Sequence, residues 1–275
     1  MNNNYTQKKE LLRKHMAEYM AEDAVIAFSG GVDSSLLLKL ACDASRVTGK
    51  KAYGILLHTM LHPKAELEEA ERVAQETGAV FRVLKIDELE GAGIGDNPAD
   101  RCYLCKRYLF GELIREAGQL GVSRILEGTN EDDLHVYRPG IRAVRELGII
   151  SPLADTGFTK ADVRRLAGEY GISVSKKPSA PCLATRFPYG VRLTYEEMRK
   201  VEQGEAYFRS LGLGNVRLRV HDKLVRLEVD RDDIGKIMER REDAAAYLRR
   251  LGYVYITLDL EGFRSGSMDE AVVRE

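Results

Sequence analysis

The segment "AFSGGVDSSLLLKLA", residues 27–41, decides the fold that we predict for this chain. It overlaps the apolar run VIAF (25–28), which suits a buried strand, and it continues into residues with helical apolar spacing. Between the two, Gly30 and Gly31 allow the backbone to approach an anion closely and to expose its N–H groups. A helix that starts here directs the positive end of its dipole at the same point. The segment therefore predicts a strand–turn–helix unit that binds phosphate.

Polar side chains within the turn extend this prediction. Ser29, Ser34 and Ser35 supply hydroxyl groups, and Asp33 is expected to handle Mg²⁺ or an incoming group. The Gly-Lys-Ser/Thr ending of a Walker A motif is missing from the sequence. The simpler alternative is a glycine turn capped by Asp33 or Ser34. The complete S-G-G-V-D-S-S pattern directly after a strand argues against that alternative.

Segments with strand and helix patterns alternate through the first part of the chain. After the opening unit, the apolar runs KAYGILLHT, VFRVLKID and RILEGTN are typical of strands, and amphipathic segments with helical spacing lie between and after them. The glycine- and proline-rich stretch GAGIGDNPADRCYLCKRY (91–108) predicts a loop. This alternation predicts an α/β fold, with a Rossmann-like parallel sheet that carries helices on both faces.

A second domain is predicted at the C-terminal end of the chain. Residues 172–190 contain three prolines and have no periodicity, so we place the boundary in or just after them. The resulting domains are 1–188 and 189–275. The second domain contains a helix opened by a capping box at Thr194 and Glu197, two alternating segments, a further helix and a strand. We expect a small α+β domain with one antiparallel strand pair.

The charge balance and hydropathy limit the possible partners. The chain has 42 basic and 43 acidic residues, so it lacks the basic excess of a protein that binds long nucleic acids. Its N-terminal segment has no apolar core of the signal-peptide kind, and no apolar run reaches membrane-spanning length. We expect a cytoplasmic protein with no membrane partner, for which a nucleic-acid partner is not favoured.

Four cysteines in a reducing compartment point to packing, metal binding or catalysis rather than to disulfides. Cys182 lies between prolines in KPSAPCLATRFPYG (177–190), four residues before Arg186, and a nearby cation lowers the pKa of a thiol. This pattern favours a functional cysteine over a small apolar filler. Cys42 falls on an apolar helix face, which indicates core packing.

A pair of cysteines, Cys102 and Cys105, has a spacing that is common among metal ligands. In C-x₂-C both thiolates can reach one metal ion, but a single pair needs further ligands from elsewhere in the chain. Cys182 is the candidate for a third ligand. A redox or zinc-binding pair, and two cysteines at a helix start without a ligand, are the alternatives.

The turn SGGVDSS resembles the PP-loop of the ATP pyrophosphatase superfamily, and the segments LEGTNEDD (126–133) and RPGIRAVRELGIISPL (138–153) are similar to parts of the same superfamily. The resemblance implies a PP-loop (HUP-type) domain that cleaves ATP between the α and β phosphates, leaves AMP on a substrate oxygen and releases pyrophosphate. It also implies an ATP site. The ATP-binding residues expected on this basis are Ser29, Gly30, Gly31, Asp33, Ser34, Ser35, Gly128 and Thr129.

Nearly the whole chain resembles the LarE family of sulfur transferases. The motifs that carry the resemblance, besides the PP-loop, are CYLCK, GTNEDD, RPGIRA, KPSAPCLATRFPYG and RLRVHDKLVRLEV. It implies that a carboxylate of pyridinium-3,5-biscarboxylic acid mononucleotide is adenylated and that its oxygen is replaced by sulfur. The product would feed the nickel-pincer nucleotide cofactor used in lactate racemase maturation. The resemblance also suggests a homo-oligomer.

Site residues follow from the same resemblance. Arg217 and Arg219 lie two apart on one predicted strand and so point the same way, and two guanidiniums on one face suit a phosphate or carboxylate, although a solvated strand face is the alternative. Glu205 and Glu228 would be acidic partners or metal ligands near the site. The expected catalytic residues are Cys182, Asp33 and Arg186. The expected substrate-binding residues are Lys106, Arg186, Arg217, Arg219, Glu205 and Glu228.

The sulfur source has two forms in this family, which uses either its own cysteine, converted to dehydroalanine, or a [4Fe–4S] cluster on three cysteines. The extra pair in this chain favours a cluster on Cys102, Cys105 and Cys182, with ATP and Mg²⁺ as the other cofactors. Three rival functions remain at this stage: a tRNA thiolase, an ammonia-dependent PP-loop ligase of the NAD or GMP synthetase kind, and a nucleotide-binding regulator without turnover.

Overall fold

The computed structural model describes residues 2–59, 61, 65–136, 138–177, 181–264 and 267–268. The chain divides into two compact units. The first comprises Met1–Gly93 and Asp100–Ala180, and the second comprises Ile94–Ala99 and Pro181–Glu275. The change of unit near residue 180 falls inside the segment 172–190 in which the sequence places its boundary. The functional domains 1–188 and 189–275 stay a prediction.

In the described part of the first unit, four parallel strands form one sheet in the order β3-β2-β1-β4. The strands are β1 (Ala24–Phe28), β2 (Ala52–His58), β3 (Val80–Lys85) and β4 (Arg124–Leu126). The sheet is flanked by helices α1 (Asn2–Tyr19), α2 (Val32–Thr48), α3 (Ala65–Thr77), α4 (Glu88–Gly91), α5 (Arg101–Gln119), α6 (Pro139–Glu146), α7 (Pro152–Asp155) and α8 (Lys160–Glu169). The predicted α/β fold with a parallel sheet is confirmed.

Successive side chains of the central strand β1 enter two different cores. Ala24, Ile26 and Phe28 pack into a cluster with residues of α1, α2 and α8, whereas Val25 packs into a cluster with residues of α5 and α6. This follows from the period of two in a strand, which points alternate residues to opposite faces. Both faces are covered, so the run AVIAF is apolar throughout. Cys42 lies in the first cluster, as predicted.

The second unit contains a three-stranded sheet among its described residues, in the order β5-β6-β7. Strands β5 (Val216–His221) and β6 (Leu224–Val229) form the predicted antiparallel pair, and β7 (Tyr255–Leu258) adds in parallel to β6. The helices are α9 (Tyr195–Ser210), α10 (Ile234–Glu239) and α11 (Arg241–Arg250). The sequence pattern predicts one helix through IGKIMERREDAAAYLRRLG (234–252), which is wrong, because the chain leaves helical geometry at Arg240 and forms α10 and α11 instead.

The N-terminal capping residues of helices α8 and α9 agree with the sequence pattern. Thr159 and Asp162 form a reciprocal capping box at the start of α8, as their spacing predicts. Thr194 caps α9 by accepting a hydrogen bond from the backbone N–H of Glu197.

The helices can also be compared with the length and hydropathy of a membrane span. Across the described residues, no helix is both long and apolar enough to cross a membrane.

Candidate active site

The turn between β1 and α2 has the geometry that its glycines require. Gly30 has φ +71°, in the left-handed region that favours glycine, and a Cβ there would lie 3.0 Å from the Cβ of Ala70 on α3. Gly31 is the N-cap of α2, a helix of 17 residues. Glycine has no side chain to cap this end, and the Gly31 N–H donates only a long hydrogen bond to the Ser29 hydroxyl at 3.4 Å, so the first turn of α2 can present backbone N–H groups to an anion.

The three predicted serines lie at the same turn. The Ser34 hydroxyl accepts from the backbone N–H of Ser29 at 3.2 Å and donates to the carbonyl of Gly31 at 3.2 Å. The hydroxyl oxygens of Ser29 and Ser34 are 3.1 Å apart. The Ser35 hydroxyl is fully buried and has no hydrogen-bond partner within the described structure. The turn is therefore held in shape by its own serines.

The second predicted ATP segment packs directly against this turn. A Cβ on Gly128 would lie 3.1 Å from the Cβ of Asp33 and 3.1 Å from the backbone N of Ser34. Asp33 accepts a hydrogen bond from the side-chain amide of Asn130 at 3.1 Å and forms an ion pair with Lys160 at the start of α8. The structure thus brings the predicted residues of both segments together, and it adds Asn130 and Lys160.

A cavity of about 320 Å³ opens beside the turn. Its polar side includes three cations, each of which faces an acid. Lys160 pairs with Asp33, Arg138 lies 3.0 Å from Asp133, and the Lys106 ammonium lies 3.9 Å from a carboxylate oxygen of Glu127. The lining residues are Ala27, Phe28, Ser29, Asp33, Ser34, Leu57, Lys106, Leu109, Phe110, Glu127, Gly128, Thr129, Asp133, Arg138 and Lys160.

The cysteine pair lies on a helix, so the loop predicted over 91–108 is wrong in its second half. Helix α5 begins at Arg101, which places Cys102 and Cys105 in its first turns, three residues apart and on adjacent positions of one face. Cys102 is exposed, Cys105 is half-buried, and neither forms a disulfide. The next residue, Lys106, points into the cavity described above.

Gly140 sets the approach of α6 to this part of α5. A Cβ on Gly140 would lie 2.9 Å from the Cγ of Lys106 and 3.4 Å from the carbonyl oxygen of Cys102. Any side chain at this position displaces Lys106 or separates the two helices. Glycine at this position therefore allows the two helices to pack closely without displacing Lys106.

We expect Gly140→Ala to destabilise the protein by about 1–3 kcal/mol, as other overpacked sites do, and to weaken nucleotide binding by moving Lys106. Gly111→Ala on α5 is the matched control. A Cβ there meets nothing within 4 Å, so alanine should be neutral or stabilising by about 0.5–1 kcal/mol. Chemical denaturation and nucleotide titration of both variants check this. Equal behaviour of the two would contradict the packing argument.

In the second unit, Arg186 and Glu205 form a buried, two-pronged ion pair. The Arg186 Nε and Nη2 atoms lie 2.8 and 2.9 Å from the two carboxylate oxygens of Glu205, and their side chains are 3% and 1% exposed. Burial opposes ionisation of Glu205, but the hydrogen bond and charge of Arg186 outweigh it and lower the pKa of that carboxyl. Arg186 Nη1 also donates to the carbonyls of Pro181 and Cys182 at 2.8 and 3.1 Å, so the pair fixes the backbone that carries Cys182.

Arg217 and Arg219 of β5 are both buried, which excludes the alternative that they lie on a solvated face of the strand. Arg219 donates to Glu228 at 3.0 Å and to the carbonyl of Thr185 at 2.9 Å. Arg217 lies over the ring of Phe263 at 5.1 Å and donates to its neighbour's carbonyl, that of Val216. Among the described residues, Arg217 forms no salt bridge, whereas Glu205 and Glu228 each hold more than one arginine.

The short stretch Ile94–Ala99 is held against the segment that follows Arg186. The buried side-chain amide of Asn97 donates to the carbonyls of Phe187 and Pro188 at 3.2 and 2.6 Å, and the backbone N–H of Gly190 donates to its carbonyl. Asn97 has φ +50°, which asparagine tolerates better than most residues. Sequence reasoning missed Asn97, although the Asn-Pro step was a turn signal.

The sequence reasoning also missed several residues that line the cavity. Glu127 and Arg138 lie inside segments that were already recognised, next to Gly128 and at the start of RPGIRA. The sequence pattern places Lys160 at the start of a helix and predicts nothing more about it. Its ion pair with Asp33 joins residues 127 positions apart, which no local pattern can predict. Residues 178–180 of the motif KPSAPCLATRFPYG lie outside the described residues.

The predicted metal centre depends on acidic, histidine or cysteine side chains that lie close together. They contain no group of three or more His, Cys, Asp or Glu side chains that could hold a metal ion. The proposed cluster ligands are divided between the two units, with Cys102 and Cys105 in the first and Cys182 in the second. The described structure therefore supplies two adjacent thiols within the first unit, and the three-cysteine set stays a prediction.

Comparison with known proteins identifies a family for the part of the chain that contains the glycine turn. The NAD synthase family model matches residues 4–94. Three relatives match most of the chain. An uncharacterized protein of Synechocystis sp. is 36% identical over 97% of this chain and 98% of its own. The pyridinium-3,5-bisthiocarboxylic acid mononucleotide synthase of Lactiplantibacillus plantarum is 36% identical over 90% of both chains. An uncharacterized protein of Methanocaldococcus jannaschii is 33% identical over 88% of this chain and 90% of its own.

Proposed function

The chain belongs to the LarE family of PP-loop enzymes, which includes the pyridinium-3,5-bisthiocarboxylic acid mononucleotide synthase, and on that premise we propose that it is an ATP-dependent sulfur transferase. The proposed reaction adenylates a carboxylate of pyridinium-3,5-biscarboxylic acid mononucleotide and replaces its oxygen with sulfur. The thiocarboxylate product serves nickel-pincer nucleotide biosynthesis and lactate racemase maturation. A cytoplasmic location and a homo-oligomeric state are further parts of this proposal.

The observation that carries the substrate side of the proposal is the buried guanidinium of Arg217. It is 8% exposed and has no salt bridge within the described residues. Burial, followed by the positive charge of Arg186, lowers its pKa to about 10, so it remains charged at neutral pH. A buried cation without a salt bridge is costly even with the charge of Glu205 nearby, and an anionic ligand lowers that cost. A nucleotide phosphate or a pyridinium carboxylate supplies such a charge.

The nucleotide side rests on the PP-loop. Backbone N–H groups and the hydroxyls of Ser29 and Ser34 would bind the β and γ phosphates, with Gly128 and Thr129 beside them. The Ser35 hydroxyl is fully buried, and Ser35 is not among the residues that line the cavity. Asp33 would hold Mg²⁺, whose charge would offset that of the leaving pyrophosphate. In the first step a substrate carboxylate oxygen attacks the α phosphorus, and the bond to the β-phosphate oxygen breaks. Pyrophosphate leaves with the electron pair. Most of the catalysis is positioning and charge neutralisation.

In the second step a sulfur nucleophile attacks the adenylated carbon and AMP leaves. We propose a [4Fe–4S] cluster on Cys102, Cys105 and Cys182 as the sulfur carrier, supported by the spacing of the cysteine pair. The alternative is Cys182 itself. Its thiolate would form a thioester, loss of the Cα proton would break the Cβ–S bond, and the chain would keep dehydroalanine while the thiocarboxylate leaves.

The test is substrate-dependent release of pyrophosphate by the purified protein with ATP and Mg²⁺. Release that requires the pyridinium biscarboxylate nucleotide, with a thiocarboxylate product, supports the proposal. Release that requires tRNA or ammonia instead would identify a tRNA thiolase or an ammonia-dependent ligase. Nucleotide binding without release under any of these conditions would identify a regulator.

Arg217→Met is expected to separate substrate binding from stability. Loss of a charged contact to the substrate should raise its KM by about 10- to 100-fold. Stability should change little, because methionine removes a buried charge that has no salt bridge within the described residues, which offsets the loss of the contacts with Phe263 and with the Val216 carbonyl. The exposed Arg199 of α9 is the control, and Arg199→Met should leave KM unchanged. A strongly destabilised Arg217→Met would mean that this guanidinium has a structural role.

A further inference from the structure

Lys106 was expected among the substrate-binding residues, most of which lie in the second unit. The structure assigns its side chain to the first unit, where it lines the cavity beside Ser29, Ser34 and Gly128. Its position on α5 explains this, since Lys106, Leu109 and Phe110 lie three and four residues apart and share one helix face. All three line the cavity.

The cavity has an apolar wall and a polar wall, and Lys106 lies where they meet. The apolar wall includes Leu57, Leu109 and Phe110, and the polar wall contains the PP-loop and Lys160. The Lys106 ammonium lies 5.1 Å from the centre of the Phe110 ring. A nucleotide with its base on the apolar wall and its β and γ phosphates at the loop has its α-phosphate between the two. In that arrangement the α-phosphate lies on the side of the cavity that Lys106 lines, between Phe110 and Glu127.

Glu127 fixes the ammonium there. Its side chain is 5% exposed, and its Oε1 atom accepts from the backbone N–H of Thr129 at 2.9 Å and from the hydroxyl of Ser151 at 2.5 Å. Oε2 faces the Lys106 ammonium at 3.9 Å. One oxygen of a rigidly held, buried carboxylate is thus directed at a side chain that is itself 41% exposed to the cavity and solvent.

We propose that Lys106 is the cation that contacts the α-phosphate, and that Glu127 is a positioning residue that acts through Lys106. In the adenylation step, which rests on the proposed function, an anionic carboxylate approaches an anionic phosphate. A fixed positive charge at the α-phosphate lowers that repulsion and stabilises the negative charge that develops during attack. Contact with the α-phosphate itself does not depend on which substrate the enzyme uses.

The binding test uses AMP and pyrophosphate as separate probes, because AMP carries only the α-phosphate. We expect Lys106→Met to weaken AMP binding by about tenfold or more and to change pyrophosphate binding by less than about twofold. Arg107→Gln is the matched control on the same helix. Arg107 is exposed and does not line this cavity, so both affinities should stay at the wild-type values. Unchanged AMP binding in Lys106→Met, or an equal loss for both probes, overturns the proposal.

A double-mutant cycle tests the positioning role. Glu127→Gln keeps an acceptor for Thr129 and Ser151 but removes the charge that faces Lys106. It should weaken AMP binding by about three- to tenfold in the wild-type background and have no further effect in Lys106→Met. Additive effects would mean that Glu127 acts on the fold alone, and this part of the proposal would fall.

A kinetic measurement of pyrophosphate release tests the same role of Lys106 during the proposed reaction, and it depends on the proposed function. With the pyridinium biscarboxylate nucleotide, Lys106→Met should lower kcat for pyrophosphate release by about 100-fold or more, and KM for ATP should rise by a factor similar to the loss of AMP affinity. A wild-type protein that releases no pyrophosphate with this substrate removes the proposed function, and the AMP and pyrophosphate titrations still decide the role of Lys106. An active wild type with a fully active Lys106→Met removes this inference alone.

Discussion

Cys182→Ala is expected to abolish thiocarboxylate formation while substrate-dependent pyrophosphate release continues. The two steps use different groups in the proposed mechanism, because adenylation needs the PP-loop and the substrate carboxylate, whereas sulfur delivery needs Cys182 as a ligand or as the donor. Removing an essential nucleophile typically costs several orders of magnitude in rate, so no product above background is expected. Parallel assays of pyrophosphate and of product mass measure the two steps separately.

The fate of the wild-type Cys182 then distinguishes the two sulfur sources. Intact mass and peptide mapping before and after turnover show whether the chain loses the elements of H₂S at this residue. Conversion to dehydroalanine means a sacrificial donor and excludes the cluster as the carrier. An unchanged chain with more than one product per protein means a renewable carrier, as the three-cysteine cluster requires.

Variants of the other cysteines complete this experiment. Cys102→Ala and Cys105→Ala should stop product formation if the cluster carries sulfur, and they should have little effect if Cys182 is consumed. Cys42 is the control, because it is packed in the core of the first unit, where burial raises the pKa of its thiol. Loss of product in Cys42→Ala, with the fold intact, would contradict the division of roles among the cysteines.

The fold of the first unit could be predicted because its signals are local. The apolar run before SGGVDSS, the strand patterns and the glycines after helices each involve neighbouring residues only, and their alternation fixes the class of fold. The error over 91–108 has a local cause as well. The turn-forming residues end near Pro98, but the loop was extended through the cysteine pair, where α5 has already begun at Arg101.

The candidate site was predictable in its motifs but not in its contacts. The loop residues and Gly128 were found because their segments are recognisable, whereas the Lys160–Asp33 pair joins positions that no sequence pattern connects. The same limit applies to Arg217 and Arg219. Their alternation on β5 is compatible with a solvated strand face and with a buried site. The two side chains are buried because the rest of the unit packs around β5, which the local sequence does not show.

Glu205→Ala is expected to have the largest effect on stability, at about 3–5 kcal/mol. The substitution leaves the guanidinium of Arg186 almost fully buried without its carboxylate, which is the costly way to break a buried ion pair. It also removes the acceptor for the backbone N–H of Leu218, which donates to Glu205 at 3.2 Å. Chemical denaturation measures the total loss, and hydrogen exchange at Leu218 assigns it to the second unit.

Two further variants show whether the charge is the cause. Glu196 lies on the same helix but is 78% exposed, so Glu196→Ala should leave the denaturation midpoint unchanged. The double variant Arg186→Met/Glu205→Leu replaces the pair by apolar groups and should be more stable than Glu205→Ala, although substrate binding should be lost in both. A double variant no more stable than the single one would mean that packing, not charge, accounts for the loss.

The same pair predicts a dependence of stability on acid. The folded-state pKa of Glu205 lies below the ordinary glutamate value of 4.5, so ionised Glu205 stabilises the folded state above that pH. This contribution is lost as pH falls from 4.5 through the folded-state pKa, because the proton then binds in both states. Glu205→Gln cannot titrate, so the difference in unfolding free energy between wild type and this variant should be constant near neutrality and shrink below pH 4.5. A difference that stays constant into acid would mean that the carboxylate does not stabilise Arg186 through its charge.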